Sequence, residues 1–319
     1  MFRIVVVVQK MKLTLFALYL LYQVLTVTTI KSVVIWHGLN ECSEDSNPQL
    51  IAKLIKTYTP KDTVIKMISI GSNCKEDTEN SVWMNTFKQI ELVGQQLSND
   101  VDLRQGFTAI GISQGGLLFR ALIQLYDNLK LYQLISIGGP QQGVYGIPDC
   151  WSIDSKLPHF GCTALIKLQP FLKKISPILA TPSLFTNLMK RLEKFYAPAS
   201  YWQDPLQEPH LNMLGTINNI VKFNSTYRDN LIKLKRLVLI KFTKDESVKP
   251  FESESFGFYA PGSYQHVVPF NETILYLNDT IGLKALSQQK RIFFHQIPNH
   301  HLHFDPDWFV ENIIKKYIL

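Results

Sequence analysis

The chain has 319 residues, of which 46% are hydrophobic and only 18% are charged. This composition excludes intrinsic disorder, collagen-like repeats and coiled coils, and a chain of this length can bury a large core in one or two domains. The formal net charge is +7, but the basic residues are scattered and form no long block. The sequence therefore predicts no nucleic-acid partner.

Residues 1–30 have the pattern of a secretory signal peptide. Lys10 and Lys12 precede an uncharged, strongly apolar stretch at 13–30, and small polar residues end it. The alternative is a retained membrane anchor, because the stretch approaches the roughly 20 residues that cross a bilayer. We favour cleavage near residues 27–31, since threonines interrupt the stretch and a strand-like run follows almost at once. No stable membrane span is then expected in the mature chain.

Three sequence triplets are acceptors for N-linked glycans, which an exported chain would meet in the secretory pathway. They begin at Asn224, Asn271 and Asn278, and each has Thr at its third position. Such triplets also arise by chance, but exposed ones in secreted chains are mostly used. The sequence therefore predicts a glycoprotein.

The four cysteines are too few for a disulfide scaffold, but their even number allows pairing in three ways. Cys42 and Cys74 each follow an apolar strand-like run, and neighbouring parallel strands would bring those two positions together. Cys150 and Cys162 would close a short loop. We therefore predict the disulfides Cys42–Cys74 and Cys150–Cys162, with four buried thiols as the alternative.

Six short apolar runs are rich in β-branched and aromatic residues, as strands buried on both faces are. They are VVIWHG, TVIKMISIG, GFTAIGIS, YQLISIGGP, RLVLIKFT and RIFFHQIP. Helical patterns lie between them at 48–58, 82–97 and 115–129, and a final helix begins with Asp305 as its N-cap and Pro306 in its first position. The alternation predicts an α/β fold with a mostly parallel sheet and helices on both faces.

The alternation stops between the fourth and fifth runs, where some 95 residues intervene, which is too many for a loop. Apolar residues with interleaved Lys and Arg, broken by prolines, predict several short helices at 163–195. We interpret residues 144–235 as an inserted helical cap between two parts of one α/β core, at 31–143 and 236–319. The cap either completes the core or forms a lid over a substrate.

A nucleophile elbow stands between the third run and the helix that follows it. The residues Gly111-Ile-Ser113-Gln-Gly115 match the pattern G-x-S-x-G in a strand–turn–helix context. The sharp turn would expose the hydroxyl of Ser113 at the carboxyl edge of the sheet, in front of a helix N-terminus. This motif predicts an α/β-hydrolase fold with Ser113 as nucleophile.

A serine hydroxyl needs a base, and the base needs an orienting carboxylate. In this fold the acid and then the histidine follow the serine in the chain. Asp245 follows the fifth run by a few residues, with Glu246 as its rival, and His300, His301 and His303 follow the last run. Position alone does not choose between His300 and His301. The histidines lack the spacing of a metal site, so no metal is predicted.

An oxyanion hole requires two backbone N–H groups. The residue after the nucleophile, Gln114, supplies one. The loop that begins at His37-Gly38 after the first run supplies the other, and Leu39 is the best candidate there. His37 itself is interpreted as structural, because it precedes the serine in the chain.

Several blocks of the chain, from about Val33 to Leu319, resemble the palmitoyl-protein thioesterases in order. They include HGLNEC, GISQGGLLFRA, ISIGGPQQGVYGIPDC, KFTKDESV, SESFGFYAPG and HHLHFDPDWF. The resemblance implies that Ser113 is the nucleophile, Asp245 the acid and His301 the base, and that Leu39 and Gln114 form the oxyanion hole. It also implies that the insertion helps to form an apolar acyl groove.

The implied activity is hydrolysis of the thioester that links palmitate or another long fatty acyl group to a protein cysteine, without a metal or organic cofactor. The implied partners are S-acylated proteins or peptides and thioesters like acyl-CoA. The implied location is the lysosome, reached through the secretory pathway, with secretion as the alternative.

Two other functions remain open on this scaffold. One is a lipase or carboxylesterase, because fold and triad do not fix the substrate. The other is a hydrolase-like binding protein without activity, against which the intact set of Ser113, Asp245 and His301 argues.

Overall fold

A computed structural model describes residues 32–145, 187 and 189–319 of the chain. The predicted signal peptide, the pair Cys150 and Cys162, and most of the predicted helices at 163–195 lie outside the described residues, so these predictions remain predictions. In the part of the chain that the structure describes, no helix combines the length and the apolar character that crossing a membrane requires.

The six predicted strands are all present and form one parallel sheet. They are β1 (Ser32–Trp36), β2 (Val64–Met67), β3 (Phe107–Ile112), β4 (Leu131–Ile137), β5 (Arg236–Phe242) and β8 (Ile292–Ile297). Their order across the sheet is β2-β1-β3-β4-β5-β8, and every neighbouring pair is parallel. A small antiparallel sheet consists of β6 (Phe258–Tyr259) and β7 (Val267–Val268). The predicted α/β fold with a mostly parallel sheet is confirmed.

The expectation that every strand is buried on both faces is wrong for the two edges of the sheet. β1 and β3 are buried along their whole length, whereas every residue of β2 is only partly buried and β8 is partly exposed. An edge strand has a neighbour on one side only, so helices cover it less completely than they cover the centre.

Helices cover both faces of the sheet. They are α1 (Ser46–Tyr58), α2 (Cys74–Trp83), α3 (Thr86–Asn99), α4 (Gln114–Leu125), α5 (Met213–Ile217), α6 (Ser225–Ile232), α7 (Ile274–Leu277), α8 (Leu283–Gln288) and α9 (Pro306–Phe309), which continues in wider turns at Val310–Ile318. Short 3₁₀ turns lie at Val101–Leu103, Ala197–Tyr201, Phe251–Ser255 and Phe270–Glu272.

The helix ends follow from local hydrogen bonding. The single helix predicted at 82–97 is divided, because Asn85 accepts the N–H of Phe87 and starts α3 as a separate helix. α9 begins as predicted, with the Asp305 side chain accepting the N–H of Trp308 at 2.9 Å. The C-terminal helix starts at this cap and packs against one face of the sheet.

The core has two halves, one on each face of the sheet. Successive side chains of a strand point to opposite faces, and β1 shows how this divides the core. Val34 and Trp36 pack with buried residues of α3 and α4, whereas Val33 and Ile35 pack with α1 and the C-terminal helix. The carboxyl ends of the central strands are thereby held in a rigid layer.

A buried arginine connects the insertion to the core. Arg120 of α4 is fully buried and donates to the Gln141 carbonyl at 2.6 Å and to the Asn218 side chain at 2.9 Å. Burial lowers its pKa to about 9, so it stays charged at neutral pH. Arg120 therefore joins the helix after β3 to the loop after β4 and to the insertion. The boundaries of the cap at 144 and 235 remain a prediction.

Candidate active site

The candidate site lies where the chain order of the sheet reverses. β1 is flanked by β2 on one side and by β3 on the other, which opens a crevice at the carboxyl ends of β1 and β3. Ser113 directly follows β3, Asp245 follows β5 by three residues and His301 follows β8 by four. The structure therefore places all three residues at the same edge of the sheet.

Ser113 occupies a tight turn that needs its glycine neighbours. Its backbone has φ 49° and ψ −121°, which is unusual for a residue with a side chain. A Cβ atom on Gly111 would lie 2.3 Å from the Cα of Gly116, and one on Gly115 would lie 2.4 Å from the Trp36 carbonyl oxygen. Only glycine fits at both positions, and the turn presents the Ser113 hydroxyl in front of α4.

A chain of hydrogen bonds runs from Ser113 to His301 and on to Asp245. The Ser113 Oγ atom lies 3.0 Å from His301 Nε2, and His301 Nδ1 is hydrogen-bonded to Asp245 Oδ2. Asp245 Oδ1 accepts the N–H groups of Ser247 and Val248 at 2.7 and 2.9 Å. The acid is thus fixed from both sides.

The hydrogen bonds outweigh burial in setting the charges of this pair. Burial would raise the pKa of Asp245, but the hydrogen bond from His301 lowers it well below its usual value. Burial would lower the pKa of His301, but the hydrogen bond to Asp245 raises it above 6.5. An ionised Asp245 holds the proton on Nδ1, so that the neutral ring has its lone pair on Nε2, facing the Ser113 hydroxyl.

The alternative acid and the two alternative histidines that the sequence offered are exposed to solvent. Glu246 points to solvent, and His300 and His303 are exposed. His303 donates from Nδ1 to the carbonyl oxygen of His301 at 2.9 Å and so braces the loop. The structure therefore places His301, rather than its neighbours, beside Ser113.

The loop after β1 is fixed by a buried ion pair. His37 Nε2 lies 3.1 Å from Asp77 Oδ1, and His37 Nδ1 lies 3.0 Å from the carbonyl oxygen of Gly38. Asp77 also accepts the N–H groups of Ile70 and Ser43. Burial opposes the charged forms, but the hydrogen bond between the two side chains raises the pKa of His37 and lowers that of Asp77. Nothing in the sequence around Asp77 indicated this role.

The same loop brings backbone N–H groups to Ser113. A Cβ atom on Gly38 would lie 3.2 Å from the Cβ of Ser113. Gly38 and Asn40 donate their N–H groups to Glu41 and Ser81. Within the described residues, no hydrogen bond satisfies the N–H groups of Leu39 or Gln114. These are the two groups that the sequence proposed for an oxyanion hole.

The predicted disulfide Cys42–Cys74 is confirmed. It joins the loop after β1 to the first residue of α2, with an S–S distance of 2.05 Å. It connects the same two segments, the loop after β1 and α2, that the pair of His37 and Asp77 also connects. Its sulfur atoms are paired with each other, so they are not available as thiolate ligands for a metal.

Tyr201, in the segment between β4 and β5, contacts the residue after Ser113, and sequence reasoning missed this contact. Tyr201 donates its hydroxyl to Gln114 Oε1 at 2.9 Å, and Gln114 Nε2 donates to the Ser81 carbonyl at 2.9 Å. Burial raises the pKa of Tyr201 well above its usual value, so the hydroxyl stays protonated. The residue after Ser113 is therefore fixed between the insertion and α2.

A second buried carboxyl group lies behind Asp245. Glu254 has no exposed surface, and its Oε1 atom lies 3.9 Å from His301 Nδ1. One oxygen or nitrogen atom from each of Asp245, Glu254 and His301 falls within 4.8 Å of the others, a spacing that would also suit a cation, but His301 Nδ1 is already bound to Asp245. The block SESFGFY contains Glu254, yet nothing in that pattern marked it as part of the site.

The three predicted glycan acceptors differ in exposure. Asn271 and Asn278 are exposed, and Asn224 is half-buried. Asn224 accepts the Thr226 N–H through Oδ1 and caps α6, which leaves its amide nitrogen, the atom that carries a glycan, without a role in the cap.

Comparison with known proteins agrees with the blocks read from the sequence. A family model described as palmitoyl protein thioesterase matches residues 32–301. Palmitoyl-protein thioesterase 1 of Caenorhabditis elegans is 34% identical over 293 residues, covering 90% of this chain and 91% of the relative. Palmitoyl-protein thioesterase 3 of Dictyostelium discoideum is 32% identical and covers 84% of each chain.

A third relative is the lysosomal thioesterase PPT2 of Mus musculus, which is 31% identical over 80% of this chain and 76% of its own. The region that the family model matches includes β1, the turn at Ser113 and the loop that carries His301. The resemblance drawn from the sequence blocks is thus confirmed, and the chain belongs to the palmitoyl protein thioesterase family of thioester hydrolases.

Proposed function

We propose that this chain removes long fatty acyl groups, such as palmitate, from the cysteines of S-acylated proteins by hydrolysing the thioester bond. Ser113 is the nucleophile, His301 the general base and Asp245 the residue that orients the base. The observation that carries the proposal is the 3.0 Å contact between Ser113 Oγ and His301 Nε2, with the Asp245 carboxylate bound to the opposite ring nitrogen. Acyl transfer to a serine needs this order of groups.

In the first half of the reaction, His301 Nε2 accepts the hydroxyl proton as Ser113 Oγ attacks the thioester carbonyl carbon. The Asp245 carboxylate stabilises the imidazolium that forms. The tetrahedral intermediate then collapses, the carbon–sulfur bond breaks, and His301 returns the proton to the departing sulfur. The products of this half are a free cysteine thiol and an acyl-serine.

In the second half, water takes the place of the serine hydroxyl. His301 accepts a proton from the water as its oxygen attacks the acyl-serine carbonyl, and it then returns the proton to Ser113 Oγ. The fatty acid is released. Every proton moves to or from His301, and its partners are Ser113, the departing sulfur and water, so the scheme requires neither a metal nor an organic cofactor.

The N–H groups of Leu39 and Gln114 bind the oxyanion in both halves. Support comes from the position of Gly38 against Ser113 and from the absence of any other partner for these two N–H groups within the described residues. Donors fixed before the reaction stabilise the developing charge without reorganisation. The buried pair of His37 and Asp77 and the Cys42–Cys74 disulfide hold the loop that carries Leu39.

The protein partners would be S-acylated proteins or peptides, and small thioesters such as acyl-CoA would be alternative substrates. Lysosomal location, reached through the secretory pathway, is supported by the name of the mouse relative, a lysosomal thioesterase, and by the signal-like residues 1–30. Glycans at Asn271 and Asn278 are compatible with their exposure. The predicted acyl groove falls mostly on residues outside the described part of the chain.

The test is an activity panel on the purified chain. A palmitoyl-cysteine peptide, palmitoyl-CoA and a triglyceride are supplied in parallel to the wild-type protein and to Ser113→Ala. We expect thioester turnover that depends on Ser113 and little triglyceride turnover. Faster turnover of the triglyceride than of either thioester would overturn the substrate class and favour a lipase.

A further inference from the structure

Glu254 lies in an enclosed position directly behind the base. Its side chain has no exposed surface, and its Oε2 atom accepts the N–H of Phe242 at 2.7 Å. Its Oε1 atom has no hydrogen-bond partner among the described residues, although it lies 3.9 Å from His301 Nδ1. A buried carboxyl oxygen without a partner is costly, unless the oxygen carries a proton that it can donate.

The turn that carries Glu254 is held in place by the loop after β4. Ser253, its neighbour in the chain, donates its hydroxyl to the Gly143 carbonyl at 2.6 Å and accepts the Gln142 N–H at 3.0 Å. The Ser253 carbonyl also accepts the N–H of Gln141. These bonds hold the backbone that carries Glu254 against the loop after β4.

Two buried carboxyl groups this close together cannot both be ionised. Asp245 is the group that carries the negative charge, because it accepts two backbone N–H groups and the N–H of His301. Glu254 accepts a single backbone N–H group. The shared proton therefore resides on Glu254, and burial raises the pKa of this carboxyl well above its usual value.

We propose that Glu254 is a positioning residue of this site, which remains a neutral acid and donates its proton to the Asp245 carboxylate. The inference rests on the proposed function, because it assigns a role toward the same base. The hydrogen bond would withdraw negative charge from Asp245, so that Asp245 holds a proton on His301 less tightly. More of the imidazole is then neutral, and able to accept the Ser113 proton, at acidic pH.

Few other charges can compete for this role. Asp245 and His301 are the titratable groups that face Glu254 in the described structure. Lys241 lies on the same strand as Phe242, but its Nζ atom stands 5.5 Å from the centre of the Phe251 ring. The proton on Glu254 is thus shared with the catalytic pair alone.

The test compares three variants in the full-length chain. Glu254→Gln keeps a neutral donor for Asp245 and an acceptor for the Phe242 N–H. Glu254→Leu keeps the approximate volume but removes both. Glu252→Gln is the matched control, because Glu252 lies in the same short turn but is only partly buried. For each, kcat/KM for a soluble thioester and the rate of Ser113 labelling by a fluorophosphonate are measured across pH.

We expect the acid midpoint of Glu254→Gln and of Glu252→Gln to match that of the wild type. In Glu254→Leu the midpoint should rise by about one pH unit, since Asp245 loses a donor. At a fixed pH below the midpoint this is about a tenfold loss of activity. A purely structural role would lower the plateau without moving the midpoint.

Two results would overturn the proposal. If Glu254→Gln lowers the midpoint by about one unit or more, Glu254 carries a negative charge in the wild type. If Glu254→Leu folds and keeps the wild-type midpoint, the residue only packs. Should Glu254→Leu fail to fold, the glutamine variant still decides between the neutral and the ionised acid. Absence of thioester turnover with intact labelling of Ser113 would instead refute the proposed substrate, and the labelling profiles would still test Glu254.

Discussion

Two pairs of a histidine and a buried aspartate lie at the same edge of the sheet and differ in their hydrogen bonds. In one, His37 uses Nδ1 and Nε2 on the Gly38 carbonyl and on Asp77, so both ring nitrogens face acceptors. In the other, His301 gives only Nδ1 to Asp245, and Nε2 faces a hydroxyl. The first pair is suited to remain charged and to hold a loop, whereas the second can accept a proton. A histidine and a carboxylate make a base only where one ring nitrogen is left for the nucleophile.

The largest expected effect comes from replacing Ser113 or His301, the proposed nucleophile and base. Ser113→Ala and His301→Ala should each lower kcat by about 10⁴- to 10⁶-fold, because triad members act as a unit. Both proteins should remain folded by circular dichroism. His300→Ala serves as the matched control, and a normal rate in His301→Ala with loss in His300→Ala would move the base by one residue.

The next largest loss of kcat is expected from replacing Asp245, the proposed acid. Asp245→Asn should lower kcat by about 10⁴-fold, as the corresponding change does in a serine protease, because an amide holds the imidazole in the wrong tautomer. Glu246→Gln, one residue away and exposed, should change the rate little. A damaging Glu246→Gln beside a mild Asp245→Asn would contradict the assignment.

The pair of His37 and Asp77 should matter more for stability than for chemistry. Asp77→Asn leaves a buried imidazole without its counter-charge, and breaking such a pair costs about 3–5 kcal/mol. The displaced loop would also lower kcat by about 10- to 100-fold, the size expected for a misplaced group near the reaction. Urea unfolding and kcat are measured together.

Glu79→Gln provides the control on the same helix, since that side chain is about half exposed and its ion pair with Lys75 is long, at 4.0 Å. Exposed pairs of this kind contribute little to stability. If Asp77→Asn proves as stable as Glu79→Gln, the loop does not depend on the buried pair.

Much of this site was readable from the sequence, because its residues follow strands. Ser113 sits in a motif, and Asp245 and His301 lie within a few residues of strand ends, so their meeting follows from a parallel sheet. The pairing of Cys42 with Cys74 followed from the same geometry. Asp77 and Glu254 escaped notice because neither follows a strand directly. Asp77 lies on a helix and Glu254 in a turn, and only the folded chain brings them to the two histidines.

The division of the predicted helix at 82–97 has a similar cause. The apolar pattern continues through Val82 and Ile90, but the Asn85 side chain caps a new helix between them. The helical pattern is judged over several turns, so a single capping residue within it does not change the prediction. The edge strands β2 and β8 were likewise predicted to be fully buried. An apolar composition indicates a strand, but it does not indicate whether the strand lies at the centre or at the edge of the sheet.

The smallest expected effect is on the pH dependence of kcat/KM, which should depend on His301 and not on His37. A base must be neutral, and the hydrogen bond to Asp245 raises the pKa of His301 above 6.5 in spite of burial. Below that pKa the neutral fraction grows about tenfold per pH unit, so kcat/KM should rise from acidic to neutral pH with a midpoint above 6.5. The pKa of His37 is raised as well, but its ring takes no part in the proposed proton transfer. Asp77→Asn should therefore lower the plateau of the profile and leave its midpoint in place. A midpoint that moves with Asp77→Asn would show that the charge on His37, and not the proton on His301, limits the reaction.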